Sequence, residues 1–132
     1  MAAEKGELSV NLLFVCTGNQ ARSPMAEVIF RELAGGDGRH EARSAGLGPR
    51  ARRRVTAREL AWADVVAVME AGHAAEIERQ WPGHIAKLWV LDVPDDYDPE
   101  EPELRALLTT KVRALLADLQ PARSRPRGRP SG

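Results

Sequence analysis

The eight residues 16–23 constrain the fold of this chain more than any other feature. They read Cys-Thr-Gly-Asn-Gln-Ala-Arg-Ser and directly follow an apolar run at residues 12–15. A thiol and a guanidinium six positions apart can converge on one tetrahedral anion only if the chain between them curls. Gly18 and Asn19 permit such a curl, because both residue types tolerate left-handed backbone angles. The segment therefore predicts a buried strand that leads into a tight, anion-sized loop.

A helix is expected directly after this loop. Ser23 followed by Pro24 is typical of a helix N-cap and first helical residue. The free N–H groups and the dipole of a helix N-terminus face an anion bound there. The same positive field lowers the pKa of a thiol from about 8.5 to about 3.5–7.5. We therefore predict a phosphate-sized cradle with the Cys16 thiolate at its floor as a nucleophile.

A simpler interpretation of Cys16 has to be weighed against this one. A lone cysteine at the end of a buried strand is usually a small core residue. Arg accounts for 16 of the 132 residues, so an Arg six positions after a Cys is weak evidence alone. The complete order of strand, Cys, Gly-Asn, Arg-Ser-Pro and amphipathic helix is much harder to obtain by chance. The sequence therefore favours a functional oxyanion loop.

Strand and helix patterns alternate along the chain. Predicted strands are residues 12–15, 41–45, 65–69 and 87–91, and predicted helices run from Pro24 to Gly35-Gly36, from Thr56 through Trp62, from Ala71 to Gln80 and from Pro102 to Pro121. Strict alternation implies parallel strands with helices on both faces of the sheet. Ligands of such sheets bind beyond the carboxyl ends of the strands. Asp95, four residues after the last predicted strand, is thus expected near Cys16.

The length and the charge distribution indicate one domain with a separate tail. Residues 1–120 are expected to form a single domain with 15 basic and 19 acidic residues. Residues 121–132 contain four Arg and no acid, lack apolar periodicity and are predicted to be disordered. A solvated end is favoured over a nucleic-acid-binding arm, and no nucleic acid partner is expected.

The cytoplasm is the expected location. No apolar stretch approaches the roughly 18 residues of a membrane span, so no membrane association is expected. Met1 to Ser9 is acidic and polar rather than a signal sequence. The single cysteine excludes an internal disulfide, and a reactive thiol survives best in a reducing compartment.

Three segments together resemble the low-molecular-weight protein tyrosine phosphatases and the arsenate reductases that share their fold. They are Val15 to Glu27, Ser44-Ala45-Gly46 and Asp92-Val93-Pro94-Asp95. The resemblance implies a three-layer α/β sandwich with a four-stranded parallel sheet of order 2-1-3-4. It also implies hydrolysis of a phosphorylated protein or small phosphomonoester through a phosphocysteine, with no cofactor.

The residues of the loop have distinct expected roles. Arg22 is suited to hold two phosphate oxygens through its planar fork. Ser23 can donate to the sulfur, and the family resemblance implies that Asn19 pins the left-handed turn. The predicted phosphate-binding residues are Thr17, Gly18, Asn19, Gln20, Ala21, Arg22 and Ser23. No metal ligand cluster is present in the sequence, and His40, His73 and His84 are interpreted as ordinary residues without ligand spacing.

The leaving group needs a proton donor, and residues 92–103 offer seven acids. By resemblance, the family's general acid corresponds to Asp95. Asp96 follows where the family often has Pro, which keeps Asp92 as the alternative. The aromatic wall of many tyrosine phosphatases aligns near Arg50 in this chain, and Tyr97 is a candidate for one wall of the site.

Three other functions stay open at the level of sequence. Arsenate reduction would need an external low-molecular-weight thiol, because the chain has Ala21 beside the arginine and no second cysteine. Phosphoarginine hydrolysis is the second alternative, and Gln20 gives no decisive sign for or against it. The third is a phosphate-binding module without turnover, against which the joint presence of Cys16, Arg22, Ser23 and Asp95 argues.

Overall fold

A four-stranded parallel sheet forms the centre of the protein. The computed structural model describes residues 10–34, 40–95, 97, 98 and 100–119. The strands are β1 (Asn11–Cys16), β2 (Glu41–Gly46), β3 (Val65–Val68) and β4 (Leu88–Val90). The helices are α1 (Arg22–Leu33), α2 (Ala57–Trp62), α3 (Ala71–Gln80) and α4 (Pro102–Leu119), and a 3₁₀ helix spans Pro82–Lys87. The strand order β2-β1-β3-β4 confirms the predicted order 2-1-3-4.

Strand β1 is the central element because its side chains pack on both faces of the sheet. Phe14 and Cys16 belong to the apolar cluster formed with α1 and α4, whereas Leu13 and Val15 belong to the cluster under α2 and α3. Leu12, Leu13, Phe14 and Val15 are fully buried. Complete burial of one such side chain stabilises a fold by about 1.5–3 kcal/mol. A continuous apolar run is therefore what this strand requires.

The predicted N-cap at Ser23 is wrong, because the helix begins one residue before Ser23. Helix α1 begins at Arg22, and its N-cap, Ala21, makes no side-chain cap hydrogen bond. The Ser23 hydroxyl lies 3.0 Å from Cys16 Sγ instead. The serine hydroxyl therefore contacts the thiol and does not cap the helix. By contrast, Thr56 caps α2 as predicted, because its Oγ1 accepts a hydrogen bond from the Glu59 N–H.

Some predicted features lie outside the described residues. These are the polar start at residues 1–9, the helix stop at Gly35-Gly36, Asp96, and the tail at residues 121–132. Within the described part of the chain, no helix is long and apolar enough to cross a membrane.

Candidate active site

Cys16 is the last residue of β1, and its sulfur lies inside a loop that leads directly into α1. The backbone N–H of Asn19 donates to Cys16 Sγ at 3.2 Å. Asn19 has φ 52°, so the left-handed turn lies where the sequence predicts it. Asn19 Nδ2 donates to Ser23 Oγ at 3.0 Å, and the serine hydrogen then has two acceptors within reach, Cys16 Sγ at 3.0 Å and the Ala45 carbonyl at 3.4 Å. Two donors therefore stabilise a thiolate at Cys16.

Arg22 is buried, lines the same cavity as Cys16 and is held by groups that follow β3 and β4. Its Nη1 donates to Glu70 Oε2 at 2.5 Å and to the Val93 carbonyl at 2.8 Å. Its Nε lies 3.7 Å from Asp95 Oδ1. Sequence reasoning missed Glu70, although its position directly after β3, at the carboxyl edge of the sheet, is a usable signal.

A cavity of about 380 Å³ opens over the loop. Its lining consists of Cys16, Thr17, Gly18, Gln20, Ala21, Arg22, Asp95 and Tyr97. The structure thus brings Asp95 into the same cavity as the thiol and the guanidinium, whereas Asp92 does not line that cavity; both carboxylates are solvent-exposed. Tyr97 lies in the lining and Arg50 does not. Asn19 and Ser23 belong to the loop but do not line this cavity; the Asn19 backbone N–H and the Ser23 hydroxyl contact the sulfur.

His73 also contacts the loop. The sequence indicates an ordinary residue at this position and does not predict the contact. The Glu70 backbone N–H donates to His73 Nδ1 at 3.1 Å, within a capping box at the start of α3. Because Nδ1 accepts, the proton of the neutral ring lies on Nε2, which donates to Thr17 Oγ1 at 3.0 Å. Burial, followed by the nearby Arg22 charge, lowers the pKa of His73. The neutral ring therefore links α3 to the loop.

The outer side of the loop is fastened to the chain that follows β2. The carbonyls of Cys16, Thr17 and Gly18 accept hydrogen bonds from the N–H groups of Leu47, Gly48 and Arg52. At Gly46 a Cβ atom would lie 2.5 Å from the Thr17 carbonyl oxygen and 2.7 Å from the Ala51 Cβ. The backbones approach closely here because Gly46 has no side chain.

The arrangement combines a nucleophile, an anion-binding guanidinium and a carboxylate around one cavity. Within the described residues, no group of three or more His, Cys, Asp or Glu side chains is arranged to hold a metal ion. The backbone N–H groups of the loop and the Arg22 guanidinium are donors that could bind an oxyanion in this cavity.

Fold and loop define a class: parallel α/β proteins in which the loop after the first strand carries a cysteine at its start and an arginine at its end. Residues 11–56 match the family model described as low molecular weight phosphotyrosine protein phosphatase. The sequence of these residues is similar to the family model. The fold is similar to that of a solved structure of YfkJ over 85% of this chain.

Individual relatives agree with this match. The low molecular weight protein-tyrosine-phosphatase YfkJ of Bacillus subtilis (strain 168) is 57% identical over 42 residues, which are 30% of this chain and 27% of YfkJ. A protein-arginine-phosphatase from the same organism is 49% identical over 39 residues, 29% of this chain and 26% of that protein. The alignments therefore span only about a quarter of the length of these curated relatives.

Solved structures extend the likeness to the whole fold. The crystal structure of YfkJ from Bacillus subtilis has a TM-score of 0.72 at 28% identity and covers 85% of this chain and 95% of its own. A YwlE arginine phosphatase, a cysteine-to-serine mutant with a phosphorylated active-site serine, has a TM-score of 0.72 at 26% identity. It covers 86% of this chain and 98% of its own.

Proposed function

We propose that the protein hydrolyses phosphomonoesters of phosphorylated proteins through a phosphocysteine on Cys16. The observation that carries this proposal is the placement of three groups around one cavity: the buried Cys16 sulfur with its two donors, the Arg22 guanidinium and the Asp95 carboxylate. The family match supports it, as does the phosphorylated active-site serine of the similar YwlE mutant.

Arg22 and the loop bind the phosphate in this mechanism. Glu70 and Val93 hold Nη1 of the guanidinium, so its Nε and Nη2 hydrogens are the ones that bind two equatorial phosphate oxygens. The backbone N–H groups of the loop bind the remaining oxygen charge. The Cys16 thiolate then lies in line with the bond to the leaving group.

The reaction proceeds in two displacements. Cys16 Sγ forms a bond to phosphorus while the bond from phosphorus to the leaving oxygen breaks, and protonated Asp95 donates its proton to that oxygen. The Asp95 carboxylate next takes a proton from water, which attacks phosphorus and releases the thiolate and inorganic phosphate. Ser23 stabilises the thiolate as nucleophile and as leaving group, because its hydroxyl lies 3.0 Å from the sulfur.

Phosphotyrosine in a protein is the substrate we favour, and phosphoarginine is the second candidate. YfkJ is the relative with the higher identity over its matched segment, and Tyr97 lines the cavity where a phenyl ring would contact it. The protein-arginine-phosphatase match supports the second candidate. A reducing compartment such as the cytoplasm suits a lone reactive thiol.

A substrate panel with one inactive variant tests the proposal. Aryl phosphate, a phosphotyrosyl peptide, phosphoarginine and arsenate with a thiol donor are compared for the native protein and for Cys16→Ser. We expect turnover of the phosphate compounds to fall below detection in the variant while phosphate binding persists, since a serine hydroxyl is a much weaker nucleophile than a cysteine sulfur. Comparable rates in both proteins would refute the phosphocysteine. Arsenite production without any phosphatase activity would assign the loop to reduction instead.

A further inference from the structure

Four arginines lie together beside the catalytic loop, in the turn that follows β2. Arg50, Arg52, Arg53 and Arg54 are all solvent-exposed. None of them forms an ion pair with a carboxylate of the described residues, whereas Arg22, Arg31, Arg43, Arg79 and Arg105 each do. We refer to residues 50–54 as the arginine segment.

The backbone of the arginine segment is ordered by hydrogen bonds to the site. The Arg52 N–H donates to the Gly18 carbonyl at 3.3 Å, and the Gly46 N–H donates to the Arg53 carbonyl at 2.7 Å. Gly46 and Arg54 form a parallel bridge at the end of β2. A fixed main chain therefore presents these side chains next to a residue that lines the catalytic cavity.

A second cavity confirms how close the segment lies to the loop. It measures about 340 Å³ and is lined by Asn19, Glu27, Ser44, Arg52 and Arg53. The single acid in this lining is already engaged: Glu27 accepts from Ser44 Oγ at 2.7 Å and pairs with Arg31 at 2.6 Å. The positive charge of the segment is thus left for a partner.

The opposite side of the site has the opposite charge. Besides Asp95, which the proposed mechanism uses as the acid, the exposed acids of the loop after β4 and of the first turn of α4 are Asp92, Asp98, Glu100 and Glu103. In the strand order β2-β1-β3-β4 the loop after β1 has the arginine segment on one side and these acids on the other. The two flanks of the Cys16 loop therefore carry opposite charges, which form a charge gradient across the loop.

We infer that this gradient selects phosphoprotein substrates with acidic residues on one side of the phosphorylated residue. The inference rests on the proposed phosphatase function and specifies its substrates. With the phosphate over Cys16, acidic side chains on one flank reach the arginine segment, while acidic side chains on the other flank meet like charge. A nucleic acid or an anionic membrane, being negative on both sides, would be repelled by the acidic flank.

Three phosphotyrosyl peptides test the inference. One has Asp residues only before the phosphotyrosine, one has them only after it, and one has neutral residues on both sides. We expect kcat/KM for one acidic peptide to exceed that of the neutral peptide by about three- to tenfold at low salt, since exposed ion pairs are individually weak. We expect the other acidic peptide to fall below the neutral one.

Matched variants assign the preference to the arginine segment. Arg53→Gln/Arg54→Gln should remove most of the ratio between the preferred acidic peptide and the neutral one. Lys111→Gln/Arg113→Gln removes the same charge from the middle of α4 and should retain that ratio. Raising the salt concentration should reduce the ratio for the native protein and leave the double arginine variant little changed.

The possible failures are distinguishable. If the native protein does not hydrolyse even p-nitrophenyl phosphate, the proposed function fails. If it hydrolyses that compound and the peptides show no difference, or are not hydrolysed, the charge selection is wrong. If single-stranded RNA or phosphatidylserine vesicles bind through Arg53 and Arg54 while acidic and neutral peptides are hydrolysed equally, the arginine segment serves a different class of partner and the inference is overturned.

Discussion

Two carboxylates three positions apart have different surroundings in this protein. Asp95 lines the catalytic cavity, with Oδ1 3.7 Å from Arg22 Nε. Asp92, which is exposed like Asp95, has φ 67° and does not contribute to that lining. Geometry thus favours Asp95 as the group that protonates the leaving oxygen.

Asp95→Asn tests this role through its dependence on the leaving group. We expect a loss of about 10²- to 10⁴-fold in kcat/KM for a poorly activated aryl or alkyl phosphate, because an amide cannot supply the proton. The loss should be much smaller for an aryl phosphate whose leaving group is already stable as an anion. Asp92→Asn is the matched control and should not show that dependence. If the two variants exchange behaviours, Asp92 is the acid.

At the level of secondary-structure elements, the start of α3 holds both ends of the Cys16 loop, because it contacts Arg22 and Thr17. Glu70 is the N-cap of α3, and its carboxylate accepts a hydrogen bond from Arg22. His73, in the first turn of α3, accepts from the Glu70 backbone N–H and is hydrogen-bonded to the Thr17 hydroxyl. The charged groups facing His73 are Arg22, Glu70 and Asp95. Burial lowers the pKa of His73, so the folded protein favours the neutral ring that makes both hydrogen bonds.

This cap should make stability depend on pH. Because the folded pKa of His73 lies below its ordinary value of 6.5, the unfolded chain binds the extra proton first as the pH falls. The stabilisation is therefore fully present above pH 6.5 and is lost as the pH falls below that value toward the folded pKa. Urea unfolding at pH 7.5 and pH 5 should show a smaller pH dependence for His73→Asn than for the native protein.

A matched control is His84→Asn, which removes a histidine from the 3₁₀ helix instead. It should keep the native difference in unfolding free energy between the two pH values. An equal pH dependence for His73→Asn and the native protein would show that the ring is not the titrating link between α3 and the loop.

The end of β2 imposes a second constraint, which substitution of Gly46 tests. Gly46→Ala places a methyl group 2.5 Å from the Thr17 carbonyl, so strand or loop must shift. We expect a loss of about 1–3 kcal/mol in unfolding free energy together with reduced phosphatase activity. Gly72→Ala is the control: nothing lies within 4 Å of its Cβ, and within α3 it should stabilise by up to about 1 kcal/mol. Native activity in Gly46→Ala would mean that the loop tolerates the shift.

At the scale of the whole molecule, the cysteine count determines the response to oxidation. Cys16 is the only cysteine in the sequence, and Ala21 stands beside Arg22. Peroxide can convert the thiolate to a sulfenic acid, but no internal disulfide can then protect it. The oxidised protein depends on an external thiol to prevent further oxidation.

We therefore expect inactivation by peroxide that early thiol addition reverses and late addition does not. Mass spectrometry should show sulfinic and sulfonic forms of Cys16 accumulating with time. For the same reason, thioredoxin alone should not support arsenate reduction. Full recovery after prolonged peroxide exposure, or arsenite production with thioredoxin, would contradict this expectation.

Local sequence patterns were enough to predict the strand β1, the turn of the loop and the cap of α2. A continuous apolar run predicts β1, Gly18-Asn19 predicts the left-handed turn, and Thr56 predicts the cap of α2, because each of these depends on neighbours within a few positions. Placing Asp95 at the carboxyl edge of the sheet also followed from strand alternation.

The distant groups that complete the site could not be predicted from the sequence, because they depend on how the strands pair. Glu70 and His73 reach the loop from 48 and 56 positions away, because β3 pairs directly with β1 and α3 begins just after it. The hydroxyl of Ser23 contacts the sulfur rather than the helix end because the loop curls back over β1, and local propensity carries no information on that choice. The opposed charges on the two sides of the Cys16 loop likewise depend on strand order, since residues 50–54 follow one outer strand of the sheet and the acids after β4 follow the other.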